Sequence, residues 1–481
     1  MMYDLIVIGD DLSSHVAAAV ASRYGLSTAL IAESGLGDTV GIGDFNFSID
    51  PSPITGFGAN QTLLSLFAEL DIPPVERDAA VLNPAYQIIL PQKRIEFFND
   101  KDLLVNELIR EFPELETEII NFYNSTIKYS EVFSQWLRNN PFVRLQSIRN
   151  MGSYLKIIPR IIGHKLKTRK FKNILSNNPS FKKVWDAQHA LLGYNIDDQY
   201  SFSSNFIYNA PLRGVYYFQQ GKQIIFNSLI KHIESSGGHY LNSCKISAID
   251  KGRLISVNLT DKKGAESVIS ARKLIVSTKS NGISILTRPK KKINIADYFR
   301  PVNLAYYPFT IHLGIPQRCF PEKSARHIAV ISDVNKDIYD NNLIILQSNM
   351  PQQDEKALKA KIALTATVFL QNNDEIWKRE NLEKQAQSII DRLEFFLPFL
   401  KENIKLFDID KSIDISNEYR YIINPKYHLR GSFFSGFAAK NNKTRFRNVY
   451  LCGASLLTDA GFEGEIISGI NAASRVLDKA K

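Results

Sequence analysis

The first residues with chemistry to offer lie in YDLIVIGDDLSSHVAAAVASRYGLSTALIAE, residues 3–33. A G-x-G-x-x-G loop holds a dinucleotide pyrophosphate by three glycines. The first makes a tight turn, the second lets bare backbone N–H groups reach the phosphates, and the third lets helix and strand pack closely. Those three positions here are Gly9, Asp11 and Ser14. Ser14 is a mild change, whereas Asp11 puts bulk and negative charge where phosphate would meet the backbone. Glu33 follows Gly9 by twenty-four residues, the place from which an acid bonds ribose hydroxyls. Two readings stand side by side. One is a nucleotide site with an altered loop, and the other is a Rossmann scaffold whose phosphate site is dead.

Those residues must be positioned by a strand, a helix and a second strand. DLIVIG is a short apolar run ending in glycine, suited to a buried parallel strand. SSHVAAAVASRYG reads as a helix that Ser13 or Ser14 can cap and Gly25 can end. STALIAE is the second strand, finishing at Glu33. The chain of 481 residues is 44% hydrophobic, enough for more than one domain. Cys244, Cys319 and Cys452 lie far apart, which argues against a disulfide framework or metal knuckle and suits a reducing, cytoplasmic setting. No signal-peptide pattern precedes Tyr3, and no apolar run approaches the ~18–20 residues that span a bilayer.

The net charge of +10 is concentrated. Residues 132–185 hold twelve Lys and Arg and no Asp or Glu, so something acidic is expected to face them. Within them MGSYLKIIPRIIGHKLKTRKFKNIL, residues 151–175, mixes Leu, Ile and Tyr with lysines. It reads as a basic, partly amphipathic lid for an anionic membrane surface, interrupted at Pro159 so that it is not one clean helix. RPKKK, residues 288–292, extends the patch, and the bland alternative is a solvated basic face. No nucleic-acid recognition module appears, and no nucleic-acid partner is expected.

Along nearly its whole length the chain resembles the phytoene desaturase and retinol saturase group of the FAD-dependent, amine-oxidase-like superfamily. GDFNFSIDPSPITG, residues 43–56, resembles the segment running beneath the flavin, and GVYYFQQGKQIIFNSLIKHIESSGGHYLNSCKISAID, residues 214–250, its glycine turn, helix and adenine-side strand. LNPAYQIILPQKRIEFFND, residues 82–100, resembles the first strands of the substrate domain, and ARKLIVSTKS a later nucleotide-domain strand. NVYLCGASLLTDAGFEGEIISGINAASRVL, residues 448–477, resembles the closing strand, glycine-rich turn and last helix. There Gly461 and Gly464 would let backbone approach a ring, and the helix from Glu465 would aim N–H groups at the flavin's pyrimidine carbonyls. The departures are Asp11, LGDT with Asp38 and Thr39 where the family has Gly-Gly-Arg, and Asp50 where it has a glycine before a flavin-facing proline.

The resemblance implies an α/β protein: a discontinuous Rossmann-like FAD-binding domain with an inserted mixed α+β substrate domain. The first would use residues 1–85, 205–285 and 440–481, and the second residues 86–204 and 286–439, with 132–185 facing the membrane. It implies FAD as cofactor, bound by Gly9, Ser14, Glu33, Ile246, Gly453, Ala454, Gly464, Glu465 and Ile466. It implies hydride transfer between flavin and an apolar lipid or isoprenoid substrate, by a protein peripheral to the membrane. No side chain declares itself a catalytic acid or base, and no metal site is expected. His312, on a strand in FTIHLGI, can serve as a proton relay but suits a satisfied core position better. His15 is read as structural, and Cys452 as a buried small hydrophobe. The rival class is a cofactor-free pseudoenzyme that keeps the fold to bind a lipid or to scaffold a partner, and a homo- or hetero-oligomeric state is left open.

Overall fold

A computed structural model describes residues 2–34, 39–73, 79–139, 148–197, 199–218, 221–280, 302–349, 361–420, 423, 425–429, 442–444 and 446–477. Asp38 and residues 288–292, which bear on the sequence reading, lie outside them.

The opening strand β1 (Met2–Ile8) runs parallel to β2 (Thr28–Ala32) on one side, with Ile8 beside Ile31. A later pair, β3 (Thr39–Ile42) and β4 (Phe45–Ser48), forms a hairpin that packs on the second sheet. The first sheet adds β7 (His239–Asn242), β8 (Lys245–Lys251), β9 (Ile255–Thr260), β10 (Glu266–Ser277) and the C-terminal β17 (Val449–Cys452). Its order is β7-β2-β1-β10-β9-β8, with β17 alongside the end of β10. The pairings β7–β2, β2–β1, β1–β10 and β10–β17 are parallel, so the first and last strands of the chain share one sheet. The apolar runs are buried on both faces, as a parallel sheet covered by helices requires: Leu5, Ile6, Val7 and Ile8 are fully inaccessible.

The second sheet has β5 (Tyr86–Leu90), β6 (Lys93–Phe97), β11 (Val302–Pro316), β12 (His327–Ile331), β13 (Leu343–Asn349), β14 (Lys361–Gln371), β15 (Leu406–Phe407) and β16 (Lys426–Leu429). Its order is β15-β11-β14-β13-β12-β5-β6, with β16 paired to β11. Helices α2 (Glu116–Asn139), α3 (Ile148–Asn177), α4 (Pro179–Leu192) and α5 (Ser204–Tyr208) form a helical layer beside it, and α6 (Ile409–Tyr419) packs on β11. On the first sheet, α1 (Leu12–Arg23) and the final helix α7 (Gly461–Leu477) cross closely. Gly469 permits that crossing, because a Cβ there would lie 2.4 Å from the Ser13 carbonyl and 2.9 Å from the Val16 Cβ.

Two local expectations are corrected. The cap of α1 is Asp11, not Ser13 or Ser14: Asp11 has extended backbone and its side chain accepts from the Ser14 amide. Gly25 does follow the helix end, at φ +82°. Pro159 does not interrupt residues 151–175, since α3 is one helix of thirty residues with the proline inside. A mid-helix proline costs about 3 kcal/mol. Ile157, Ile161, His164, Phe171 and Leu175 make one buried stripe through it, and Pro159 itself is exposed. Burying several such side chains, at roughly 1.5–3 kcal/mol each, outweighs the proline.

Candidate functional site

The C-terminal ends of β1, β10 and β17 and the N-terminus of α1 meet in a cleft, the place where doubly wound sheets bind ligands. Gly9 makes the turn into it at φ +148°. No side chain fits at Gly9, because a Cβ would sit 2.3 Å from Ser14 Oγ and 2.5 Å from Ser277 Cβ.

The Asp11 carboxylate occupies the start of α1. It accepts from Ser14 N at 3.2 Å, Ser14 Oγ at 2.6 Å, Ser13 Oγ at 2.9 Å and Ser277 Oγ at 2.8 Å, and it is 4% exposed. A helix N-terminus is an anion site by virtue of its free amides and dipole. Here the chain fills that site with its own anion. Asp10 turns the other way: its carboxylate accepts from the Glu33 and Ser34 amides beyond β2 at 3.2 and 3.0 Å and from Ser34 Oγ at 2.7 Å. Glu33, at the end of β2, takes a hydrogen bond from Ser280 Oγ.

Two ion pairs cross the remainder of the cleft. Lys279 Nζ meets Glu465 Oε1 at 2.8 Å with both side chains buried, and Lys222 Nζ meets Asp50 Oδ2 at 2.6 Å. Burial opposes the Asp50 charge, but Lys222 and the Ser52 donors outweigh burial and hold the carboxyl below its usual range. Burial, with Asp11 and Asp50 as like charges nearby, lifts Glu465 above the usual range. Burial disfavours the Lys279 charge, yet Glu465, Tyr427 and Asp11 together hold it above its ordinary value. Lys222 and Lys279 were not singled out by the sequence reading. The available signal was a lysine two residues beyond the end of β10, inside the STKS that closes the quoted ARKLIVSTKS.

The glycines of the closing motif are required by protein packing. At Gly461, φ +53°, a Cβ would stand 2.2 Å from the Leu192 carbonyl, and at Gly464 one would stand 2.3 Å from the Leu457 carbonyl. At Gly453, φ +133°, it would meet Thr278 Oγ1 at 2.1 Å. Each glycine faces the chain itself, so none of the three opens an empty cradle for a ring. Ala454 and Ile466 are fully buried, and Ile246 sits in the core beneath the antiparallel end of the first sheet. The helix start carries a third buried pair, Arg213 Nη2 to Glu463 Oε1 at 2.6 Å, with Thr62 Oγ1 donating to Glu463 at 2.7 Å.

Of the residues expected to hold a cofactor, Glu465 lines the cleft and Gly9, Ser14 and Glu33 adjoin its lining residues Asp10 and Asp11, while Ile246, Gly453, Ala454, Gly464 and Ile466 pack against the protein's own atoms. His312 is 1% exposed, bonded through Nδ1 to Ser412 Oγ at 3.2 Å and set edge-on to Phe47. His15 bonds the Asp11 carbonyl at 3.0 Å, and Cys452 is fully buried with burial pushing its thiol up, so it is no nucleophile. Among the described residues no cluster suits a metal ion.

The side chains of Asp11, Lys279 and Glu465 crowd the phosphate end of the cleft. The space beside α1, lined by Asp10, Asp11, Asp50, Lys222, Lys279 and Glu465 among others, is about 90 Å³, and a larger cavity of about 590 Å³ shares Asp50, Lys222 and Gln223 with it. Cofactor sites run to roughly 300–1,000 Å³. The anion position at α1 is taken by Asp11, and the far side by Lys279 and Glu465.

No family model and no curated protein matches the sequence. In three dimensions the chain is similar to an oxidoreductase from Methanosarcina mazei, at 14% identity over 98% of this chain and 99% of that one, with a TM-score of 0.57. A triple mutant of putrescine oxidase redesigned in its cofactor binding gives 13% identity over 99% of both chains and 0.59. Rab GDI from Plasmodium falciparum gives 11% identity over 99% of this chain and 98% of that one, with 0.53. The chain therefore shares its α/β fold with proteins named as oxidoreductases and with one named for Rab.

Proposed function

We propose that the protein is a cofactor-free member of this fold, a pseudoenzyme that works as a binding module for an apolar, lipid-type ligand at a membrane surface. One observation carries the reading: the Asp11 carboxylate, held by four donors at the start of α1, stands where a pyrophosphate would. Displacing it would strand a buried carboxylate beside the incoming phosphates, a like-charge contact in a poorly hydrated cleft. The fold is compatible with such a role, as a protein named for Rab shares it with proteins named for oxidation. The membrane part rests on α3, which exposes Lys165, Lys167, Arg169 and Lys170 together with Ile162 and Leu166.

The test is an FAD titration of the purified full chain, followed by flavin absorbance after gel filtration. No retained flavin is expected. Stoichiometric yellow protein would overturn the reading. It would restore the second one, an FAD-dependent oxidoreductase acting on isoprenoid chains, which Glu33 at the end of β2 favours. In that case Asp11, Lys279 and Glu465 must all take other positions.

A further inference from the structure

The cleft beside α1 is not the only cavity. Another, of about 360 Å³, lies in the helical layer between α2, α3 and α5 and shares no lining residue with it. Its walls are aromatic and aliphatic: Phe122, Tyr129, Phe171, Ile174, Tyr200 and Tyr208. It is a partly open pocket, with exposed Lys167 and Lys170 at its rim. A void this size matches the lower end of small-molecule sites. At ~30 Å³ per water-sized unit it has room for about a dozen methylenes.

Polar residues also line it, among them Asn121, Ser125, Thr126, His164 and Asn205. Lys167 and Lys170 of α3 are exposed at the mouth, against one acid, Glu118. Deeper in, His164 is fixed by Asn205 Nδ2 at 2.8 Å, and Thr126, fully buried, has a hydroxyl with no hydrogen-bond partner. A buried hydroxyl left unpaired is unfavourable, and a ligand that reaches it relieves that. The walls are already rigid: Phe122 stacks on Phe171 at 4.4 Å and contacts Trp185 at 4.2 Å. A pre-formed apolar slot with two lysines at its mouth selects an apolar chain that ends in an anion.

We propose that this cavity binds a single-chain amphipathic anion, its apolar chain between Phe122, Phe171, Tyr129 and Tyr208 and its acidic head at Lys167 and Lys170. The proposal rests on the binding-module reading for the ligand being cargo rather than substrate, while the cavity itself is independent of the cofactor cleft. A carboxylate or a phosphate head meets the same chemistry. Because α3 also exposes Ile162 and Leu166, the mouth opens on the helix that faces the membrane in that reading.

The experiment titrates the full chain with dodecanoate and with farnesyl monophosphate, below micelle formation, reading tryptophan fluorescence. Trp185 touches three wall residues, Phe122, Phe171 and Tyr208, so a saturable change is expected that Trp185→Phe removes. Ser125→Phe, which fills the cavity, should abolish binding, with circular dichroism confirming the fold. Lys167→Gln with Lys170→Gln, on exposed positions that leave folding intact, should weaken binding at least ten-fold, and dodecanol should bind no better than that. The tighter of the two probes identifies the head as carboxylate or phosphate. No saturation with either probe, wild-type binding by Ser125→Phe, or equal binding of dodecanol overturns the proposal. The flavin spectrum of the same samples separates that failure from failure of the cofactor-free reading.

Discussion

At the residue scale the protein depends on carboxylates kept inside by hydrogen bonds. Asp11→Ala removes the cap of α1 and leaves Ser13, Ser14 and Ser277 without their common acceptor. Stability in urea should fall by on the order of 1–3 kcal/mol. Asp11→Asn keeps one acceptor oxygen and should fall between. Two histidines make a second prediction. Burial lowers His312 from its ordinary 6.5 to about 4, and burial first, then Lys222, lowers His327 to about 3. Both are neutral when folded and take up protons on unfolding, so the unfolded state binds more protons between pH 6.5 and 4. Stability is therefore present above pH 6.5 and drains away as pH falls toward 4. For His312 that is on the order of 3 kcal/mol. Denaturation midpoints across that range should show the slope, and His312→Gln should flatten it. A pH-independent midpoint would refute the assignment.

At the scale of elements, α7 offers the sharpest contrast between two meanings of one motif. Gly464→Ala drives a methyl group into the Leu457 carbonyl, a backbone atom that cannot swing aside. The expected result is a lower melting temperature, equivalent to about 1–3 kcal/mol of overpacking, before any ligand is added. A variant as stable as the parent would mean the glycine serves something other than packing. The strand–helix–strand start and the closing strand–turn–helix were legible because periodicity and glycine placement are local signals. The cap was not: Asp11 was read for its charge, but the serines that hold it include Ser277, distant in sequence and adjacent only through the β1–β10 pairing. Pro159 misled for the opposite reason, since the buried stripe that overrides it forms only when α3 packs against its neighbours. Lys279 was passed over because its partner, Glu465, lies 186 residues away. What stayed hidden in the sequence is the set of contacts between distant segments, and these decide whether the cleft is open.

For the whole molecule, the basic surface is the feature with reach. No helix of the described residues is long and apolar enough to cross a membrane. Attraction of about 1 kcal/mol for each basic residue near an anionic leaflet should nevertheless hold the protein at its surface. It should sediment with anionic liposomes at low salt, less with neutral ones, and be partly released by high salt. Changing Lys165, Lys167, Arg169 and Lys170 together to Gln should weaken sedimentation without altering the melt. Equal sedimentation would reduce α3 to a solvated face. If the Asp11 carboxylate replaces a cofactor phosphate, as proposed, the start of α1 is complete without a vitamin-derived partner. Protein made in riboflavin-starved cells should accumulate to the same level, with the same resistance to proteolysis, as protein made in fed ones.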